Sequence, residues 1–186
     1  QHNNLLWVNV SKPEEKVLLA VQKRFQLADQ DVKESLPSFQ RPKFVKREGY
    51  YFMVLHFPVF NKITRRLGFT EVDFFLNAQS LVTIHYNSVP VIENFFKECQ
   101  KDGATTDKYF QGTAAQLFFE VLSRLLESIF PILLHINDDI NWVEKVVFTE
   151  VPDRKMAEEI LRLKTNVVTF RRTVQGHKTV LEHLIA

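Results

Sequence analysis

The first part of the chain alternates short apolar runs with turn residues. Runs rich in aromatic and β-branched side chains occupy 5–10, 43–47, 50–57, 68–76 and 81–86, and each predicts a β-strand. Glu48-Gly49 and the stretch 77–80 have turn chemistry, so most neighbouring strands should run antiparallel. Helical spacing at 17–25, 28–36 and 91–99 lies between the strands. Residues 1–112 are therefore predicted to form a mixed, largely antiparallel sheet sandwiched by helices.

From residue 114 onward the hydrophobic period lengthens to steps of three and four. One series of apolar positions runs from Phe118 to Val147, and the second comprises Met156, Ile160, Leu163, Val167, Phe170, Val174, His177, Leu181 and Leu184. Such a period predicts two long helices packed along a seam. The short link at 149–152 makes them antiparallel neighbours, and each should reach roughly 50 Å. Residues 113–186 are thus predicted to form a long helical hairpin with a kink at Pro131. The hairpin should project beyond the sheet, unless it folds back or other chains cover it.

Composition excludes several classes of protein. The chain has 24 Lys+Arg against 22 Asp+Glu, a net charge of +2, which gives no drive toward nucleic acid. Cys99 is the one cysteine, so no internal disulfide can form and a reducing compartment is indicated. No run of about 18 apolar residues is present, so none of the sequence predicts a membrane span.

Candidate chemistry is sparse. No glycine-rich phosphate loop or nucleophile elbow occurs, and the six histidines lack metal-ligand spacing. His56 and His85 lie in predicted strands and are expected to be core or edge residues, whereas His177 interrupts the apolar seam. Asp138 and Asp139 are adjacent on a predicted helix and point about 100° apart, which favours a solvated polar face over a metal site. The sequence therefore predicts a protein that is not an enzyme.

Several motifs, in order along the chain, resemble those of CorA-type divalent-cation transporters. The most specific is Gln-Arg-Pro-Lys at 40–43 followed by the aromatic strand Tyr-Phe-Met-Val-Leu at 51–55. Trp-Val-Asn-Val at 7–10 resembles the first strand of that family, and Ile-Asn-Asp-Asp-Ile at 136–140 resembles the acidic patch on its first long helix. The resemblance covers nearly the whole chain.

The resemblance implies a funnel-shaped homopentameric channel for Mg²⁺, Co²⁺ and related ions. This chain would be its cytoplasmic α/β/α domain, on the cytoplasmic side of the cell inner membrane. The stalk helix, the Gly-Met-Asn signature and the membrane spans are expected to follow, so this part alone would not conduct ions. The isolated part is expected to be soluble and monomeric or weakly associated, because much of the subunit contact in the family comes from the stalk and membrane helices.

Glu34 is the candidate metal ligand that the resemblance indicates. In the family, an aspartate at this turn binds a regulatory cation between subunits, opposite an acid on the stalk. Glu34 keeps a carboxylate, and hard cations such as Mg²⁺ prefer oxygen ligands. Lys33 replaces a neighbouring acid, and Arg124 lies where the family often has another acid. Both are expected to oppose cation binding, so the dissociation constant for Mg²⁺ should be millimolar or weaker.

Two alternatives stay open at this point. A zinc transporter of the same superfamily shares the layout, and the membrane portion that distinguishes it is not in this sequence. A cytoplasmic scaffold that binds another protein through the helical hairpin would also fit the residue pattern.

Overall fold

A computed structural model describes residues 5–37, 39–101, 103–149 and 154–185. The strands are β1 (Leu6–Ser11), β2 (Lys43–Lys46), β3 (Tyr51–Asn61), β4 (Arg66–Leu76) and β5 (Ser80–His85). The helices are α1 (Glu15–Phe25), α2 (Asp29–Glu34), α3 (Pro90–Lys101), α4 (Gly103–Phe110), α5 (Ala114–Glu127), α6 (Phe130–Thr149) and α7 (Arg154–Ile185).

The five strands form one sheet in the order β1-β5-β4-β3-β2. Three of its four pairings are antiparallel, and β1 runs parallel to β5 at the edge. Gly49 has φ of 90°, a conformation that glycine adopts without strain, and it forms the turn between β2 and β3. The mixed, largely antiparallel sheet predicted from the sequence is confirmed.

Each face of the sheet buries its own apolar core. Alternate residues of a strand point to opposite faces, so Phe52 and Val54 lie on one side while Met53 and Leu55 lie on the other. Helices α1 and α2 cover the first face through residues such as Leu18. Helices α3, α5 and α7 cover the second face. The result is the three-layer α/β/α arrangement that was expected.

The first long helix predicted for 114–148 is wrong in one respect: it is two helices. Helix α5 ends at Glu127 and α6 begins at Phe130. Pro131 was expected to kink a continuous helix. Instead it occupies the first turn of α6, where a missing backbone N–H leaves no hydrogen bond broken. The break therefore lies just before the proline, and α5 is free to pack on the sheet with Leu117 and Leu125 fully buried.

Helix α7 has the predicted length, and its packing face agrees only in part with the predicted seam. Its 32 residues span about 48 Å at about 1.5 Å per residue. The predicted seam positions Met156, Leu163 and His177 are buried. Two others, Ile160 and Val167, are 43 % and 41 % exposed, and Asn166 is buried although the series left it out. The helix contacts β2, β3 and β4, so part of the hairpin packs back onto the sheet.

Helices α6 and α7 do pack antiparallel, as predicted. Ile136 of α6 and Leu163 of α7 share a small apolar cluster with Leu67 of β4. Most of the predicted link at 149–152 lies outside the described residues. The division of the chain at residues 112 and 113 stays a prediction, and the core of the second sheet face contains residues from both sides of it.

Candidate functional site

Glu34 lies at the last residue of the short helix α2, on the first face of the sheet. One carboxylate oxygen, Oε2, forms an ion pair with Lys43 Nζ, and the other accepts a hydrogen bond from Gln30 Nε2 at 3.3 Å. The side chains of Glu34 and Lys43 are only 24 % and 28 % exposed. Lys43 Nζ also lies over the Phe52 ring, 5.1 Å from its centroid. The Glu34 carboxylate is thus partly accessible to solvent, but its charge is already balanced by the Lys43 ammonium group.

The basic residues expected to oppose cation binding lie elsewhere. Lys33 pairs with Asp29 at 3.6 Å and is largely exposed. Arg124 belongs to α5 on the opposite face of the sheet, where it pairs with Glu120 at 2.7 Å and lies over Phe95. Within one chain, therefore, the basic neighbour of Glu34 is Lys43, one of the four residues of the Gln-Arg-Pro-Lys motif.

The described residues do not make a complete metal site. No group of three or more His, Cys, Asp or Glu side chains among them is arranged to hold a metal ion. Mg²⁺ requires near-octahedral oxygen ligands. One carboxylate held by a lysine does not satisfy this requirement, so a cation at Glu34 would need oxygen ligands beyond those of the described residues, from water or from another chain.

An ion pair with a buried carboxylate fixes the helix that carries Glu34. Asp31 of α2 is fully buried and accepts two hydrogen bonds from Arg47, at 2.6 and 3.0 Å. Tyr50 Oη donates a third at 2.6 Å and accepts one from the backbone N–H of Ala28. Burial raises the pKa of Asp31, but these donors outweigh it and hold the pKa below its ordinary value. Sequence reasoning missed this contact, because Asp31 and Arg47 have no local signal that joins them.

A second charged network joins α6 and α7 to the turn between β3 and β4. Asp139 accepts from Arg65 at 2.7 Å and from Arg162 at 2.9 Å, and Glu159 pairs with both arginines. The expectation of a solvated face is therefore wrong for Asp139, whose oxygens point into the helix interface, but holds for exposed Asp138. The network is structural, because each carboxylate is matched by arginine.

His56, His85 and His177, the three histidines considered in the sequence analysis, lie in or beside the core. His85 is buried, with Nδ1 2.8 Å from the carbonyl oxygen of Asn87, and His56 contacts Glu71 at 3.2 Å. His177, on the buried face of α7, donates a hydrogen bond from Nε2 to the carbonyl oxygen of His56. Burial lowers the pKa of His177 and of His85, which keeps both rings neutral near pH 7.

Comparison with known proteins identifies the fold and the family. The model of the family described as CorA-like Mg²⁺ transporter protein matches residues 2–186. The cobalt/magnesium transport protein CorA of Methanocaldococcus jannaschii is 21 % identical over 177 residues, which are 95 % of this chain and 54 % of the relative. YfjQ of Bacillus subtilis (strain 168), provisionally named a metal ion transporter, is 26 % identical over 97 % of this chain and 54 % of its own length.

Solved structures show the same fold. The soluble domain of CorA from M. jannaschii superposes with a TM-score of 0.81 at 21 % identity, over 96 % of this chain and 69 % of that one. The cytoplasmic domain of ZntB from Vibrio parahaemolyticus superposes with a TM-score of 0.71 at 13 % identity, over 96 % and 68 %. No helix of the described residues is long and apolar enough to cross a membrane. The chain spans about half the length of the curated relatives it matches, and it belongs to the family of CorA-like Mg²⁺ transporter proteins.

Proposed function

We propose that this chain is the cytoplasmic, cation-sensing part of a divalent-cation transporter. The observation that carries the proposal is the match of the family model along residues 2–186, which joins the whole α/β/α unit to a transporter family. In this proposal the longer protein is a homopentamer in the cell inner membrane and carries Mg²⁺ or Co²⁺. The part described here does not conduct ions and carries no catalytic activity.

Glu34 is the proposed regulatory ligand. Its position at the end of α2 leaves one edge of the carboxylate accessible, while the Asp31–Arg47 ion pair holds the helix in place. A cation between subunits would meet Glu34 from one chain and oxygen ligands from another. Lys43 competes with that cation for the same carboxylate, which supports weak binding of Mg²⁺ by the isolated chain, with a dissociation constant in the millimolar range or above.

Ion identity separates the two candidate transport functions. The ZntB cytoplasmic domain has the same fold, so a zinc transporter is the second candidate. The test is uptake of Mg²⁺, Co²⁺ and Zn²⁺ into vesicles that contain the longer protein, with a fluorescent or radioactive readout for each ion. Saturable uptake of Mg²⁺ and Co²⁺ supports the proposal. Uptake of Zn²⁺ alone supports the second candidate, and no uptake of any of these ions contradicts both.

A further inference from the structure

A small cavity lies on the first face of the sheet, at the end of β5 opposite the segment that follows α2. Its volume is about 250 Å³, and the described residues that line it are Pro37, Phe39, Glu71, Tyr86 and Asn87. Pockets for drug-sized ligands occupy about 300–1,000 Å³, so this one fits only a fragment-sized molecule. It is distinct from the Glu34–Lys43 pair, since neither residue lines it.

The carboxylate of Glu71 gives this cavity a negative lining group. The side chain is only 11 % exposed, so its charge is poorly screened by water. Its two described hydrogen bonds, from the backbone N–H of Gln40 at 2.6 Å and with His56 Nε2 at 3.2 Å, both involve Oε2. These contacts fix the carboxylate and leave Oε1 available to a ligand. No lysine or arginine is among the described lining residues.

Tyr86 supplies a second polar group that lacks a partner. Its hydroxyl oxygen is buried and makes no hydrogen bond within the protein, although the residue lines the cavity. A buried hydroxyl without a partner costs about 1–3 kcal/mol. The oxygen is covered in this conformation, so a ligand N–H donor would recover that cost once the Tyr86 side chain turns toward the cavity. Burial first, and then the nearby Asp73 and Glu71 carboxyl groups, raise the pKa of Tyr86, so the hydroxyl stays protonated near neutral pH.

Aromatic rings supply the remaining wall. Phe39 is exposed and packs on Phe69 with ring centroids 5.0 Å apart, and Phe69 in turn stacks on His56 at 4.4 Å. An aromatic face beside a carboxylate attracts a cation by two independent terms, the ring quadrupole and the formal charge. A divalent metal ion does not fit, because the described residues contain no group of three metal-ligating side chains.

We propose that this cavity binds a small organic cation, an alkylammonium or alkylguanidinium ion. The charged head donates a hydrogen bond to Glu71 Oε1 and, with the Tyr86 side chain turned toward the cavity, a second one to its hydroxyl oxygen. The alkyl part lies against Pro37 and Phe39. This site is independent of transport and of Glu34, so it can hold or fail while the proposed function stands.

The test is an NMR titration of the ¹⁵N-labelled chain with n-butylammonium chloride at constant ionic strength. The amides of Phe39, Tyr86 and Asn87 should shift along saturable curves with a millimolar dissociation constant. n-Butanol has the same length without the charge, and it should give no saturable shift at those amides. Equal shifts with butanol, or no saturation with the ammonium ion, overturn the proposal.

Two variants locate the binding. Glu71→Gln keeps the size and an acceptor for Gln40, and it should weaken binding about tenfold or more. Tyr86→Phe removes a hydroxyl that bonds nothing in the protein, so the fold stays intact while binding weakens about threefold to tenfold. Glu48→Gln, an exposed carboxylate in the β2–β3 turn, is the matched control and should change nothing. Unchanged affinity in both Glu71→Gln and Tyr86→Phe overturns the assignment.

Discussion

Asp73 gives the most quantitative prediction that the structure allows. It lies in the middle of β4, paired with Val54 of β3 and Ile84 of β5, and its side chain is 2 % exposed. Its Oδ1 atom is buried with no hydrogen-bond partner in the protein. Burial is the main cause that raises the pKa of Asp73 to about 8, and the negative charge of Glu71 adds to it. The native protein therefore holds this carboxyl group protonated at neutral pH.

The free energy of unfolding should fall as the pH rises. In the unfolded chain an aspartate ionises near a pKa of about 3.9, so between about pH 4 and about pH 8 the native state binds one more proton than the unfolded state. Each pH unit in that window costs about 1.4 kcal/mol from this group alone. At pH 7 the loss relative to pH 4 is about 4 kcal/mol, a large part of a typical total of about 5–15 kcal/mol.

The perturbation is Asp73→Asn, which keeps the shape and removes the ionisation. Urea unfolding of both proteins across about pH 4 to about pH 8 should show the stability of the variant rising relative to the parent by about 4 kcal/mol between pH 4 and pH 7. Comparing slopes removes the constant cost of burying the new amide. Asp138→Asn, at an exposed carboxylate on α6, is the matched control. Parallel profiles for Asp73→Asn and the parent would refute the reasoning, because they would mean that Asp73 is ionised in the native state.

Two further substitutions test the packing around Glu34 and α7. Asp31→Asn should lower the free energy of unfolding by about 2–3 kcal/mol at pH 7 in urea unfolding, because it leaves Arg47 without its buried carboxylate. The pKa of Asp31 is held low in the native state, so this difference is complete above about pH 4 and shrinks as the pH falls through the native pKa; a difference that grows in acid would contradict the assignment. Gly176→Ala should destabilise by about 1–3 kcal/mol in thermal melts, since its Cβ would lie 2.5 Å from Pro42 Cγ, whereas Gly103→Ala meets open space and should be neutral or stabilising. A Gly176→Ala protein as stable as the parent would show that the proline ring yields.

Strand pairing was predictable because the relevant signals are local. Period-two alternation and the Glu48-Gly49 turn located β2 and β3 within a few residues of their observed bounds. The prediction ended β3 at residue 57, just before Pro58. In the structure β3 continues to Asn61 because β2 pairs only with its first part, so Pro58 lies at a free edge where no donor is required.

The face of α7 was only partly predictable from hydrophobic spacing. Its buried positions include Arg162, Asn166 and His177, whose partners are backbone and side-chain groups distant in sequence. Asn166, for example, accepts from the backbone N–H of Leu67 and donates to the carbonyl oxygen of Arg65, both at 2.9 Å. A search for apolar spacing leaves Arg162 and Asn166 out of the seam, so it placed the exposed Val167 there instead of the buried Asn166.

The residues of the candidate site were likewise predictable only in part. The Gln-Arg-Pro-Lys motif and Glu34 could be located by resemblance. In the structure, Lys43 of that motif forms an ion pair with Glu34. The motif contained the basic neighbour of Glu34, but Lys33 and Arg124 were chosen instead because only sequence proximity and family position were considered. Which lysine faces a carboxylate depends on how β2 packs on α2, and that is a property of the folded chain.

The central claim is that Glu34 senses a divalent cation on the cytoplasmic side of a transporter. The direct measurement is Mg²⁺ uptake by vesicles that contain the longer protein, recorded as the Mg²⁺ concentration on the cytoplasmic side is raised at constant ionic strength. Glu34→Gln removes the charge while keeping the shape, and Glu48→Gln is the exposed control. The account predicts that half-inhibition moves to severalfold higher Mg²⁺ in Glu34→Gln and stays unchanged in Glu48→Gln. Identical inhibition curves for Glu34→Gln and the parent protein would contradict it.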